Sequence, residues 1–134
     1  MRIVSRSRAL VAPILLSAVV AALPAAAHGP DARPTQVAAV PSSGKVTVVA
    51  REFKFEPDAI DVKQGQHVTI LFRNEGKLSH NLAIPELGLH TDTIQGGKQE
   101  TLDFVAKKTG TYAFWCAVPG HKQAGMRGKV VVDH

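Results

Sequence analysis

The chain has 134 residues, a single cysteine and a net charge of +5 at neutral pH. This length suits one domain, and one cysteine excludes an internal disulfide, so the fold must depend on an apolar core. Residues 1–27 contain three arginines and no acidic residue, and without them the net charge falls from +5 to +2. A nearly balanced chain gives no reason to expect a nucleic-acid partner.

Residues 1–27 have the layout of a secretory signal peptide. The basic stretch "MRIVSRSR" precedes the apolar run "ALVAPILLSAVVAAL", and Ala25 and Ala27 stand in A-x-A register. We therefore predict cleavage after Ala27 and a periplasmic or secreted protein with no stable membrane insertion. The alternative is a retained anchor, for which the apolar run is short compared with the ~20 residues of a membrane span.

Residues 28–44 differ in composition from the predicted signal peptide, and an alternating pattern begins at residue 45. Residues 28–44 hold three prolines, two glycines and two serines without a sustained period, which predicts a flexible leader. Residues 45–134 form the predicted domain. Its predicted strands are KVTVVAREFKF, AIDVK and HVTILF around a turn at Gln64-Gly65, HNLAI, KQETLDFVAK, TGTYAFWCAV and GKVVVDH. Short strands between Gly and Pro turns, without a helical period, predict an all-β sandwich.

Alternation within these strands predicts which side chains form the core. Val68, Ile70 and Phe72 share one face of their strand. We expect four of the five phenylalanines to be buried, namely Phe53, Phe55, Phe72 and Phe104. In the strand before the cysteine, Tyr112, Phe114 and Cys116 face one way, and Ala113 and Trp115 face the other.

The stretch "FWCAVPGHKQAGM" places Cys116, His121 and Met126 at five-residue intervals. Taken singly, a cysteine or a methionine is usually a core residue. Together, a thiolate, an imidazole and a thioether select copper in preference to hard cations. Two histidines and a cysteine in a trigonal set, with a weak axial methionine, are typical of electron-transfer copper. The loop supplies one histidine, so a second must come from elsewhere in the fold.

The second histidine is chosen among those outside the loop. His80 begins the strand HNLAI after the polar turn NEGKLS, and we predict that it faces the loop. His90 is the reserve, because its loop could reach the same rim. We assign no site role to His67 or His134. Cleavage after Ala27 would place a free α-amino group beside the imidazole of His28, a pair that can chelate copper, but a flexible terminus gives little reason to expect a role.

The residues around this loop and His80 resemble those of a known family. His80-Asn81, followed by Y-x-F-W-C-x-V-P-G-H-x-x-x-G-M-x-G at 112–128, resembles the cupredoxins, the blue copper proteins of the plastocyanin and azurin type. The resemblance spans residues 45–133, and the C-x4-H-x4-M spacing is similar to that of auracyanin and rusticyanin.

The resemblance implies a Greek-key β-sandwich with one type 1 copper ion. It implies His80, Cys116 and His121 as equatorial ligands, Met126 as the axial ligand, and Asn81 as a brace between the ligand loops, with one bond there to the cysteine sulfur. It also implies that redox partner proteins dock at an apolar patch around His121, to which Pro119, Gly120, Ala124 and Gly125 would contribute.

Two functions fit these residues: a one-electron carrier cycling between Cu(I) and Cu(II), and a periplasmic copper-binding or delivery protein. We expect a monomer. We also expect that the protein is not an enzyme, because four protein ligands leave no open position for a substrate. A Cys-His nucleophile would need an orienting group and an oxyanion site, which the sequence does not supply. A structural zinc site would have more thiols or histidines in place of methionine.

Overall fold

The computed structural model describes residues 35–134. The predicted signal peptide, its cleavage site and His28 lie outside the described residues. Within the described part of the chain, no helix has the length and apolar character needed to cross a membrane.

The described residues form strands joined by turns and one short 3₁₀ turn. The strands are β1 (Val37–Ala39), β2 (Lys45–Arg51), β3 (Lys54–Glu56), β4 (Ala59–Lys63), β5 (His67–Asn74), β6 (Ala83–Ile84), β7 (Leu89–His90), β8 (Gln99–Val105), β9 (Gly110–Trp115) and β10 (Arg127–Asp133), and the 3₁₀ turn is Pro85–Leu87. One sheet has the order β1-β4-β10-β9-β6-β7 and the other β3-β2-β5-β8. The chain passes repeatedly between the sheets, so the predicted all-β sandwich is confirmed.

The core lies between the sheets because each long strand alternates apolar and polar residues. In β5, Val68, Ile70 and Phe72 are fully buried, as their spacing predicts. The ring of Phe55 packs edge-on against Phe72 and Phe114, with centroid distances of 6.3 and 5.4 Å. Since Phe72 lies in the smaller sheet and Phe114 in the larger one, Phe55 connects the two layers.

One predicted strand is divided in the structure. The segment 45–55 breaks at Glu52-Phe53, where the chain turns so that β3 pairs antiparallel with β2. Phe53 has a φ of 59° and is 37% exposed, so its predicted place in the core is wrong. A turn takes its side chain off the alternating face, and the left-handed region is uncommon for a residue other than glycine.

The boundary predicted at Lys45 is also corrected. Residues 37–39 form β1, which pairs in parallel with β4 through Val37↔Ala59, Ala38↔Ile60 and Ala39↔Asp61. The edge of β4 offers unpaired backbone groups, and a short apolar segment between prolines can satisfy them. The second half of the predicted leader therefore belongs to the folded domain.

Candidate metal centre

The loop from Cys116 to Met126 connects β9 to β10 and is closed by its own backbone. The Cys116 N–H donates to the Met126 carbonyl at 3.1 Å, and the Met126 N–H donates to the His121 carbonyl at 3.0 Å. Gly120 and Gly125 have φ values of 83° and 105°, which glycine adopts without steric cost. These bonds close the segment between Cys116 and Met126 into one compact loop.

Three side chains converge where this loop meets the start of the HNLAI segment. Nδ1 of His80 lies 3.1 Å from Nδ1 of His121, and that nitrogen lies 3.6 Å from Sγ of Cys116. All the donor atoms lie within 4.8 Å of one another. His80 and Cys116 are fully buried, as is Met126 at the end of the loop. Two imidazole nitrogens and a sulfur facing one point form a donor set that suits copper.

His80 reaches this point because its backbone is held by a β-bridge to Ile94. The His80 N–H donates to the Ile94 carbonyl at 3.0 Å, and the Ile94 N–H donates back at 2.9 Å. Burial, and then the nearby His121, lower the pKa of His80 below its ordinary value. A lowered pKa favours the neutral ring, which is the form that binds a metal. Its Nε2 atom is buried and has no hydrogen-bond partner among the described residues.

Asn81 connects the segment that contains His80 to the loop that contains Cys116. Its Oδ1 accepts a hydrogen bond from the Ala117 N–H at 2.6 Å, and its Nδ2 donates to Thr93 Oγ1 at 3.1 Å. The side chain after His80 is thereby tied to the residue after Cys116. These side-chain bonds go to Ala117 and Thr93, whereas the sulfur of Cys116 has its polar contact with His121.

Two residues that organise the site were not identified from the sequence. Asn74 is 1% exposed, and its Nδ2 donates to the carbonyls of Leu78 and Ile94, both at 2.8 Å. Glu52 accepts through Oε1 from the N–H groups of Lys77 and Leu78. The hydrogen bond from Lys77 is the main cause of a lowered pKa of the Glu52 carboxyl. Asn74 ends β5 and Glu52 lies within a run predicted as one strand, so no local pattern marked either residue as part of a site.

The other described histidines lie outside the cluster. The reserve candidate His90 is exposed on β7, opposite Ala83. His67 is exposed near Asp103, with 3.8 Å between Nε2 and Oδ1, and His134 is exposed at the chain end.

His121 is the member of the cluster nearest the surface. Its ring is partly exposed and meets the edge of the Phe53 ring, with 5.3 Å between centroids. The small residues that the sequence assigns to this surface are there: Pro119, Gly120 and Ala124 are exposed, and Gly125 is half-buried. Lys122 and Gln123 on the same turn are exposed as well, so this part of the loop presents both apolar and polar residues.

Comparison with known proteins gives a family for the chain. The model of the cupredoxin-like domain matches residues 13–132. The copper-resistant cuproprotein CopI of Rubrivivax gelatinosus is 29% identical over 133 residues, which cover 81% of this chain and 79% of that protein. Plastocyanin B'/B'' of Nicotiana tabacum is 30% identical over 90 residues, covering 59% and 87%.

A solved structure shows the same fold. Reduced auracyanin from Roseiflexus castenholzii superposes with a TM-score of 0.62 at 22% identity, covering 70% of this chain and all of that one.

Proposed function

This chain belongs to the cupredoxin-like family and binds copper, and we propose that it holds one type 1 copper ion at His80, Cys116, His121 and Met126 and carries single electrons. The observation that supports this most directly is the convergence of two Nδ1 atoms and one Sγ in a buried position. We also propose that the protein works in the periplasm or outside the cell, as a monomer and without enzymatic activity.

Copper would supply the redox chemistry by alternating between Cu(I) and Cu(II). The protein's part is to keep the donor atoms in place in both states. His80 is fixed by the bridge to Ile94, and Cys116 by its backbone bond to Met126. Met126 is buried at the end of the loop, and its thioether would be the fourth and weakest donor. With four protein donors around one ion, no position is left for a substrate.

Electrons would enter and leave through His121. It is the one partly exposed member of the cluster, and Pro119, Gly120 and Ala124 are exposed in the same loop. We propose that a redox partner docks on this surface, because contact at the partly exposed His121 brings the two redox centres close.

The first experiment is the visible and EPR spectrum of the copper(II) protein. We expect an intense thiolate-to-copper charge-transfer band, which Cys116→Ser abolishes. His80→Ala should also abolish it, whereas the matched substitution His90→Ala, at an exposed histidine, should leave it unchanged. A colourless copper(II) complex of the intact protein would contradict the type 1 assignment.

The axial role of Met126 has its own test. Met126→Gln replaces a soft thioether by a harder oxygen, which favours Cu(II) and should lower the reduction potential. Voltammetry measures this directly, and an unchanged potential would mean that Met126 is not axial.

A second candidate function is copper binding or delivery in copper resistance. It is favoured by the CopI relative, whose match covers 81% of this chain, compared with 59% for the plastocyanin. Electron self-exchange, measured by NMR line broadening, and copper transfer to an apo acceptor protein separate the two functions. Fast exchange with the metal retained supports the carrier; slow exchange with rapid metal transfer supports delivery.

A further inference from the structure

The turn between β2 and β3 contacts both histidine-bearing segments of the site, although it belongs to the other sheet. Glu52 reaches the segment that leads into His80, where its Oε1 accepts from the N–H groups of Lys77 and Leu78, the latter at 3.2 Å. A carboxylate that accepts from two successive backbone amides fixes the path of that segment. The bonds span 25 and 26 residues of sequence, so they arise only in the folded protein.

The next residue, Phe53, contacts the other histidine. Its ring stands at 79° to the ring of His121, with centroids 5.3 Å apart, in an edge-on arrangement that is favourable for aromatic pairs. The backbone adopts a φ of 59° to place it there, and 37% of the residue stays exposed. An exposed phenylalanine in the left-handed region is not explained by core packing, which gives a reason to look for a role at the site.

The space around Gly76 shows how closely Glu52 approaches His80. A Cβ atom added at Gly76 would lie 2.8 Å from Glu52 Oε1, 3.1 Å from His80 Nε2 and 3.3 Å from Asn74 Oδ1. The carboxylate of Glu52 and the buried ring edge of His80 therefore both face the position that a side chain at Gly76 would occupy.

We propose that Glu52 and Phe53 form a positioning turn that holds His80 and His121 at their mutual distance and thereby slows the loss of copper. This inference rests on the copper site proposed above. Glu52 acts on His80 through the backbone of residues 77 and 78, and Phe53 acts on His121 through ring contact. The turn thus contacts the segment that leads into His80 and the ring of His121, although it belongs to neither of the segments that carry the proposed ligands.

The test of Glu52 measures how fast the copper-loaded protein loses its charge-transfer band to an excess of chelator. Loss of outer partners of metal ligands commonly costs ~10–100-fold in metal affinity, and we expect Glu52→Ala to accelerate the loss of copper about tenfold. Glu52→Gln keeps an acceptor for both amides and should stay close to the wild type. The matched control is Glu56→Ala, which removes a carboxylate that pairs with Arg51 and Lys54 in the same region but does not touch residues 77–80. It should leave the rate unchanged.

Phe53→Ala is tested in the same assay against Val105→Ala, which truncates another exposed apolar side chain, on β8. We expect faster copper loss and an altered EPR spectrum for Phe53→Ala alone. Urea unfolding of each apoprotein corrects for changes in overall stability. Wild-type rates and spectra for both Glu52→Ala and Phe53→Ala would overturn the proposal, as would a Glu52→Gln variant as fast as Glu52→Ala. If the wild-type protein itself shows no thiolate band, the copper site proposal fails instead.

Discussion

The two histidines of the cluster present the same atom to the same point, but the protein holds them in opposite ways. His80 is fully buried, and its backbone N–H and carbonyl are both hydrogen-bonded to Ile94. His121 sits on a turn of the Cys116–Met126 loop, where its ring is partly exposed and meets Phe53. His80 is part of the sandwich, whereas His121 belongs to its surface.

The difference shows how rigidity and access are divided within one small site. In the proposed copper site, a buried ligand fixed by strand pairing would keep its position when the charge on the metal changes. A ligand at the surface would give the proposed redox partner a short path to the metal. Because His80 and His121 come from distant parts of the chain, each histidine can be substituted separately.

The largest expected effect comes from removing each ring. His80→Gly and His121→Gly should both lose the charge-transfer band. Added imidazole should restore it in His121→Gly, because the gap opens to solvent, and should fail to restore it in His80→Gly, because that gap is enclosed by the core. Titration with imidazole, followed by absorbance, measures this. Equal recovery of both variants would mean that the two sites are equally accessible.

An intermediate effect is expected at Asn81, which connects the His80 segment to the Cys116 loop. Asn81→Ala removes the acceptor of the Ala117 N–H, which joins the His80 segment to the Cys116 loop. One lost hydrogen bond should lower the free energy of unfolding of the apoprotein by about 1 kcal/mol. Copper retention should fall by about tenfold, as for other outer partners of metal ligands. Gln123→Ala, an exposed amide on the same loop, is the control and should change neither quantity.

The smallest effect concerns the acid stability of the apoprotein. The pKa of His80 is lowered from 6.5, chiefly by burial, so the unfolded chain binds a proton that the folded chain does not. The contribution of His80 to the free energy of unfolding is therefore complete above pH 6.5 and decreases as the pH falls below it. Urea titrations on both sides of this pH measure the slope. His80→Gln should reduce the slope, and His90→Gln should leave it as in the wild type.

Much of the fold could be predicted because alternation is a local property. Strand β5 with Val68, Ile70 and Phe72 inward, and the turn at Gln64-Gly65, follow from residue type and spacing alone. Phe53 shows where this fails. Its place in a run of alternating residues predicts a core position, but the chain turns there, and only the pairing of β3 with β2 determines that turn.

The site divides in the same way. The sequence by itself determined the donor types, their order on one loop and the need for a second histidine, because ligand chemistry depends on residue identity and spacing. The tertiary structure decided that His80 and not His90 joins Cys116, since Ile94 and Asn74 guide its segment across the end of the sandwich. It also brought Glu52 and Phe53 to the two histidines. Contacts between residues far apart in the chain depend on strand pairing, which no local pattern specifies.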